Sequence, residues 1–180
     1  MKTVFFDLDD TSKITDGINK IVQNKDREIV FLCIGTKKVI GDSFGPIVGQ
    51  MLKEKADNVY GNLIETVNAT NINEKIEEIY SNFSNPYVIV LDSALGNEEM
   101  INKIVIGNGG IKPGSALDKK IDKIGDMYIN AIVGKNGSSN FHELRNVKKN
   151  DVLNMSKKVY KAIFDSICLK WLNIVNNHIK

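Results

Sequence analysis

Short continuous apolar runs alternate along this chain with segments whose apolar residues recur every three or four positions. Glu28 to Ile34 is a run bounded by charges and then by glycine, the pattern of a buried strand. From Ser43 to Lys55 the apolar positions Phe44, Ile47, Val48, Met51 and Leu52 follow helical spacing, and Pro46 suits a first turn because it has no N–H to leave unpaired. Asp57 to Tyr60 predicts a short strand. Thr70 to Asn82 predicts a helix with Ile72, Ile76, Ile79 and Tyr80 on one face. Tyr87 to Asp92, Ile101 to Ile106 and Met127 to Val133 read as strands, with a turn-rich loop from Gly107 to Gly114 between the last two. Asn150 to Asn177 reads as one long amphipathic helix carrying Val152, Leu153, Met155, Val159, Ile163, Phe164, Ile167, Leu169, Trp171, Leu172 and Val175. The first 27 residues are charged and polar after a short apolar start, with a short helix over Gly17 to Gln23 capped by Asp16. Strands alternating with helices predict a three-layer α/β/α domain with a mostly parallel sheet, residues 1–27 standing as an N-terminal extension to a core of 28–180.

Composition narrows the function classes. With 24 basic and 22 acidic residues the net charge is +2, which gives no basis for nucleic-acid or membrane binding. No apolar run approaches the roughly 20 residues of a membrane span, and acids follow the apolar start too soon for a signal peptide, so the expected location is the cytoplasm. The two cysteines, Cys33 and Cys168, fall in apolar patterns and read as buried thiols; no Cys/His cluster offers a zinc site.

Two segments carry the candidate chemistry. Phe31 to Pro46 runs from an apolar strand through Gly35 and Gly41 to an acid, Asp42, just ahead of a helix; Tyr87 to Gly96 delivers a second acid, Asp92, at a strand end. Ligands of open α/β sheets bind outside the carboxyl ends of strands, so two acids at that edge suggest a reaction centre. Two close carboxylates cannot both ionise cheaply: one polarises a water and the other, still protonated, protonates a leaving amine. The helix N-terminus favours ionisation of Asp42, and Asp92 is expected to hold the proton. Gly35 and Gly41 would let the backbone approach a ligand or take a positive φ, the N–H groups following Asp42, beginning with that of Ser43, would bind an oxyanion, and Lys112 would reach the same edge as a charge partner. No cofactor is called for, and the partner would be a peptide or protein.

The pieces I-G-T-x4-G-D-S-x-G-P-x-V-G from Ile34, V-Y-G-x-L-x-E from Val59, N-P-x-V-I-x-x-D from Asn85, K-P-G from Lys112 and G-D-x-x-I-N-x-I-V from Gly125 together resemble the YyaC-type sporulation proteins. Those proteins are similar to the spore germination protease and share a broad fold with the hydrogenase-maturation endopeptidases. The resemblance implies a phosphorylase/hydrolase-like α/β/α fold, a peptidase role in sporulation or germination, and a forespore or spore-core location. The protease's two aspartates lie in a D-x-x-G-P turn and in a D-A strand end; these patterns fall on Asp42 and Asp92. The maturation endopeptidases bind a metal with a Glu/Asp/His set, but neither His142 nor His178 matches their histidine, so no metal is expected.

Two other readings stay open. Val4 to Thr11 looks like the first motif of haloacid-dehalogenase-type phosphatases, with Asp7 as nucleophile, Asp9 as acid/base, Mg²⁺ between them, and Ser93, Lys112 and the Gly125-Asp126-x3-Asn130 stretch as later motifs. Against it, Ser12 and Lys13 replace the expected apolar residues and the Asp42 element has no role. The third reading is a binding module of the same fold without catalysis.

Overall fold

The computed structural model describes residues 3–22, 26–112 and 123–178, with side chains as far as residue 167. Its strands are β1 (Val4–Asp7), β2 (Ile29–Cys33), β3 (Val59–Tyr60), β4 (Tyr87–Gly96), β5 (Lys103–Asn108) and β6 (Met127–Lys135). Its helices are α1 (Thr11–Val22), α2 (Phe44–Lys53), α3 (Ile72–Asn82), α4 (Asn140–Arg145) and α5 (Lys149–His178). The six strands form one sheet in the order β1-β5-β6-β4-β2-β3. The β2–β3, β2–β4 and β4–β6 pairs are parallel; β5 is antiparallel to both its neighbours, so it alone runs against the rest.

Residues alternate between two apolar layers, as the two-residue period of a strand requires. Phe31, Cys33, Ile89, Leu91, Ile129 and Ala131 face one side, where Ile14 and Ile18 of α1, Phe44 and Val48 of α2, and Val152, Met155 and Val159 of α5 close over them. Val30, Leu32, Val88 and Val90 face the other, against Ile72 and Ile79 of α3. Helices on both faces of a mostly parallel sheet make the three-layer α/β/α architecture expected. Continuous apolar runs at β2 and β4 follow from this double coverage.

The first 27 residues are where the expectation needs correcting. Residues 4–22 are built into the fold: β1 pairs with β5, Val4 opposite Ile106, and α1 buries Ile14, Ile18 and Val22. Asp10, not Asp16, caps this helix, accepting from the Lys13 N–H at 3.2 Å and the Ser12 hydroxyl at 2.8 Å. Tyr80, placed on the buried face of α3 by its spacing, is 53% exposed; a single-layer helix over two strands buries a narrower stripe than the pattern offers. Pro113 and Gly114 of the K-P-G piece lie outside the described residues, as do the side chains of Cys168, Leu169, Trp171, Leu172, Val175 and His178.

Where the parallel strands begin, one ion pair ties three segments together. Arg27 donates to Asp126 Oδ1 at 2.7 Å and Oδ2 at 3.1 Å, to the carbonyl of Asn85 at 3.0 Å and to that of Pro86, and stacks over the Tyr87 ring. Asp126 Oδ2 also accepts the Val88 N–H at 2.9 Å. Removing Asp126 takes the counter-ion from a guanidinium and the acceptor from a backbone N–H together. Asp126→Ala should therefore lower stability by about 2–3 kcal/mol, read as a drop in the urea midpoint at unchanged slope; a loss under ~0.5 kcal/mol would show the cluster to be ornamental.

Candidate functional site

The sheet changes winding direction between β2 and β4. From β2 the chain passes through α2 to β3 on one side; from β4 it continues to β5 and β6 on the other. Such a reversal opens a crevice at the carboxyl edge of the two strands. There β2 stops, its last register pair being Cys33 with Leu91, while β4 runs on to Gly96 paired only with β6. Asp92 is the first residue of β4 beyond its last register pair with β2.

Asp42 comes to this point by a closed loop. The Gly35 N–H still donates to the carbonyl of Val67 at 2.8 Å, the chain leaves the sheet, and a 3-10 turn over Ile40–Asp42 brings it back. The Thr36 N–H then donates to the Asp42 carbonyl at 3.0 Å, closing the neck of the loop. Gly35 permits this approach. Its φ is +136°, and a Cβ would sit on the Asp42 carbonyl oxygen.

The two acids meet through Ser93. Its N–H donates to Asp92 Oδ1 at 2.8 Å and its hydroxyl donates to Asp42 Oδ1 at 3.5 Å. Asp92 is buried, 8% exposed. Burial raises its carboxyl to about 8 and the Asp42 charge adds to the rise, against a smaller pull from the Ser93 N–H. Asp42 is half-buried and its carboxyl is also raised, by burial first, with the Thr36 N–H and the Ser93 hydroxyl opposing. The helix N-terminus was expected to favour the charge on Asp42; desolvation outweighs it. Asp92, the more deeply buried of the two, is the carboxyl pushed up to about 8, and the Asp42 charge is one cause of that rise. An acid and a base side by side are thereby available for proton transfer in both directions.

The other expected site residues part company. Ser43 lies beside the pair, but it is buried, its hydroxyl donates to the Ile40 carbonyl at 2.6 Å and its N–H goes to the same oxygen at 3.1 Å, so both groups are consumed by the turn. Gly41 does not take a positive φ or face open space; a Cβ there would meet Leu144 and Val147, so the residue seats the turn against the end of α4. Lys112 is exposed at the opposite edge: Ile111 pairs with Ile124, and the Gly109 N–H donates to Asp126, whose own N–H donates to Val88. From Val88 to Asp92 is four strand residues, about 13 Å, so Lys112 does not join the aspartates. Ser93, which entered the sequence reading as a later motif of the phosphatase arrangement, is instead the bridge; that it immediately follows Asp92 is the one trace of this in the sequence.

The phosphatase arrangement does not assemble. Asp7 ends β1, three strand spacings or about 14 Å from β4, and pairs with Lys103 at 3.3 Å. Asp9 is fully exposed and pairs with Lys158 at 2.9 Å, and Asp126 is held at the far edge by Arg27. His142 lies exposed on α4. Among the described residues no three His, Cys, Asp or Glu side chains gather as metal ligands. Cys33 is buried, and burial pushes its thiol well above the usual range, as a structural thiol requires.

Comparison with known proteins agrees with the motif pieces. In a solved structure, the chain is similar to the [NiFe] hydrogenase maturation protease HycI from Thermococcus kodakarensis KOD1, with 20% identity and a TM-score of 0.49 over 81% of this chain and 97% of that one, a likeness too distant to bear on the site. It is 39% identical over 140 residues to the uncharacterized protein YyaC of Bacillus subtilis (strain 168), covering 76% of this chain and 68% of that protein. Residues 5–162 match the family described as "Protein of unknown function (DUF1256)", a span that runs from β1 to about the middle of α5 and takes in both aspartates, and the chain belongs to that family.

Proposed function

We propose that this chain is an acid-pair hydrolase of peptide bonds, with Asp42 activating water and Asp92 protonating the leaving nitrogen. The observation that carries the reading is the pair itself: two carboxyl groups bridged by Ser93 at the switch point of the sheet, with the more deeply buried Asp92 pushed up by burial and by the Asp42 charge. Water approaching Asp42 would be deprotonated as it attacks the carbonyl carbon. Asp92 would deliver its proton to the amide nitrogen as the C–N bond breaks. The N–H groups of Phe44 and Gly45, in the first turn of α2, would be the donors to the developing oxyanion in this scheme.

The partner is an extended peptide or an unfolded protein. The small net charge argues against nucleic acid, and among the described residues no helix is long and apolar enough to cross a membrane. The resemblance to sporulation proteins supplies the context we propose: a cytoplasmic role in the forespore or spore core, during sporulation or germination.

The test is cleavage of a mixed peptide library by the full chain between pH 4 and 9. Activity should rise as Asp42 loses its proton and fall again near pH 8 as Asp92 loses its own. Asp42→Asn should lower the rate about 10²–10⁴-fold. Peptide retention without cleavage, unaffected by Asp42→Asn, would instead establish the binding module.

A further inference from the structure

Asn130 of β6 stands in direct register with Asp92 of β4, on the same face of the sheet. It belongs to the G-D-x-x-I-N piece, for which neither the fold nor the proposed chemistry has yet given this residue a use. Its side-chain oxygen Oδ1 is fully buried and has no hydrogen-bond donor. A buried amide oxygen without a donor costs about 1–3 kcal/mol, so such atoms are rarely left in place without a reason. Beside it, across the strand pair, is the Asp92 carboxyl, a group with a proton to give. Asp92 Oδ1 is already engaged as acceptor for the Ser93 N–H, which leaves Oδ2 to carry the proton.

We infer that Asn130 is a positioning residue whose Oδ1 accepts the hydrogen bond of the neutral Asp92 carboxyl. The inference rests on the reading of Asp42 and Asp92 as an acid pair. Each half supplies what the other lacks: the acid form needs an acceptor, the amide oxygen needs a donor, and adjacent parallel strands hold them one step apart. The bond would fix the proton on Oδ2 and hold the carboxyl in one rotamer. Among the described residues the groups acting on Asp92 are Asp42, whose charge bears on it, Ser93 on its own strand, and the uncharged Asn130 on β6. An acceptor for the acid form would raise the proton affinity of Asp92 beyond what burial and the Asp42 charge already do.

The test is a carbon and nitrogen NMR titration of the labelled full chain. The Asn130 side-chain carbonyl carbon should move upfield with the same midpoint as the Asp92 carboxyl, as its donor is lost. Asp92→Asn, whose amide still offers an N–H, should abolish that movement. In Asn130→Ala the Asp92 midpoint should fall, with proton binding weakened about tenfold. Should that variant not fold, Asn130→Ser keeps an oxygen acceptor and should show a smaller fall. An Asn130 carbonyl indifferent to Asp92 would overturn the inference, as would side-chain N–H protons that move downfield when Asp92 ionises, because the amide would then be donating to the charged form. Cleavage without linked titration overturns this inference alone; linked titration without cleavage overturns the hydrolase reading and leaves the Asn130 bond standing.

Discussion

Asp92→Asn should make the protein more stable above neutral pH while removing its hydrolytic activity. In the fold the Asp92 carboxyl holds its proton up to about pH 8, against 3.8 for the free group, because burial and the nearby Asp42 charge oppose ionisation. The folded state therefore binds this proton more tightly than the unfolded chain. The contribution of Asp92 is fully present below about pH 4 and is lost steadily as pH rises towards 8. Asparagine keeps the shape of the neutral acid and never ionises. Wild type and variant should unfold at similar urea concentrations near pH 4, and the variant should lead by ~2 kcal/mol at pH 8, after allowance for relaxation around the charged form. Any pH dependence left in the variant over this range belongs largely to Asp42. The same substitution removes the proton donor, so cleavage should fall about 10²–10⁴-fold. Parallel stability profiles would show that Asp92 is already ionised in the fold. Such a gain in stability at the expense of activity is the usual mark of a site maintained against its own electrostatics.

Gly35→Ala carries the largest expected loss. Two penalties coincide there: a φ of +136°, which residues with a Cβ rarely adopt, and a Cβ placed on the Asp42 carbonyl oxygen, which is backbone and cannot swing aside. Together they should cost about 3–5 kcal/mol. Gly109→Ala separates the terms. Its φ is +101°, yet no heavy atom lies within 4 Å of its would-be Cβ, so it should cost only ~1 kcal/mol. Urea midpoints of the two variants give the comparison directly. If Gly35→Ala folds with a loss no greater than Gly109→Ala, the neck of the loop is compliant, and Asp42 is not held by it. If the expected loss is found, the pH dependence attributed to Asp42 should change as well, since the residue that closes the loop is the one that carries the carboxyl.

The elements that position the site were legible because both apolar layers act on them. β2 and β4 are covered on two faces, so their apolar runs are unbroken, and α2 shows a clean helical stripe beneath Pro46. β1 was hidden by its position at the sheet margin: Val4 and Phe5 stay about half exposed, and four residues between charges make too short a run to weigh. Asp42 and Asp92 could be named because each ends a readable element. Their environment could not. The dipole of a helix end contributes at most about 1–2 kcal/mol, and only the packed fold shows how much water the acids lose. Ser93 as the bridge and Lys112 at the wrong edge are both facts of strand direction. Residues 51 apart share a hydrogen bond, while a lysine one loop away from β5 is carried to the opposite end because β5 runs backwards.

The closed neck of the 36–42 loop has a consequence for how this family can diversify. Thr36 and Asp42 are joined to each other by the main chain, and Val39 and Gly41 seat the returning turn, so that only the tip of the loop stands outside the placement of the acid. Lys37 and Lys38, at its tip, are exposed and make no contribution to the core. Insertions and substitutions there would change what approaches the aspartates without moving them. Selection for a new target could act on that tip freely, whereas the opposite wall, β4, is tied to β6 from Ile89 to Gly96 through one register shift at Ala94/Leu95.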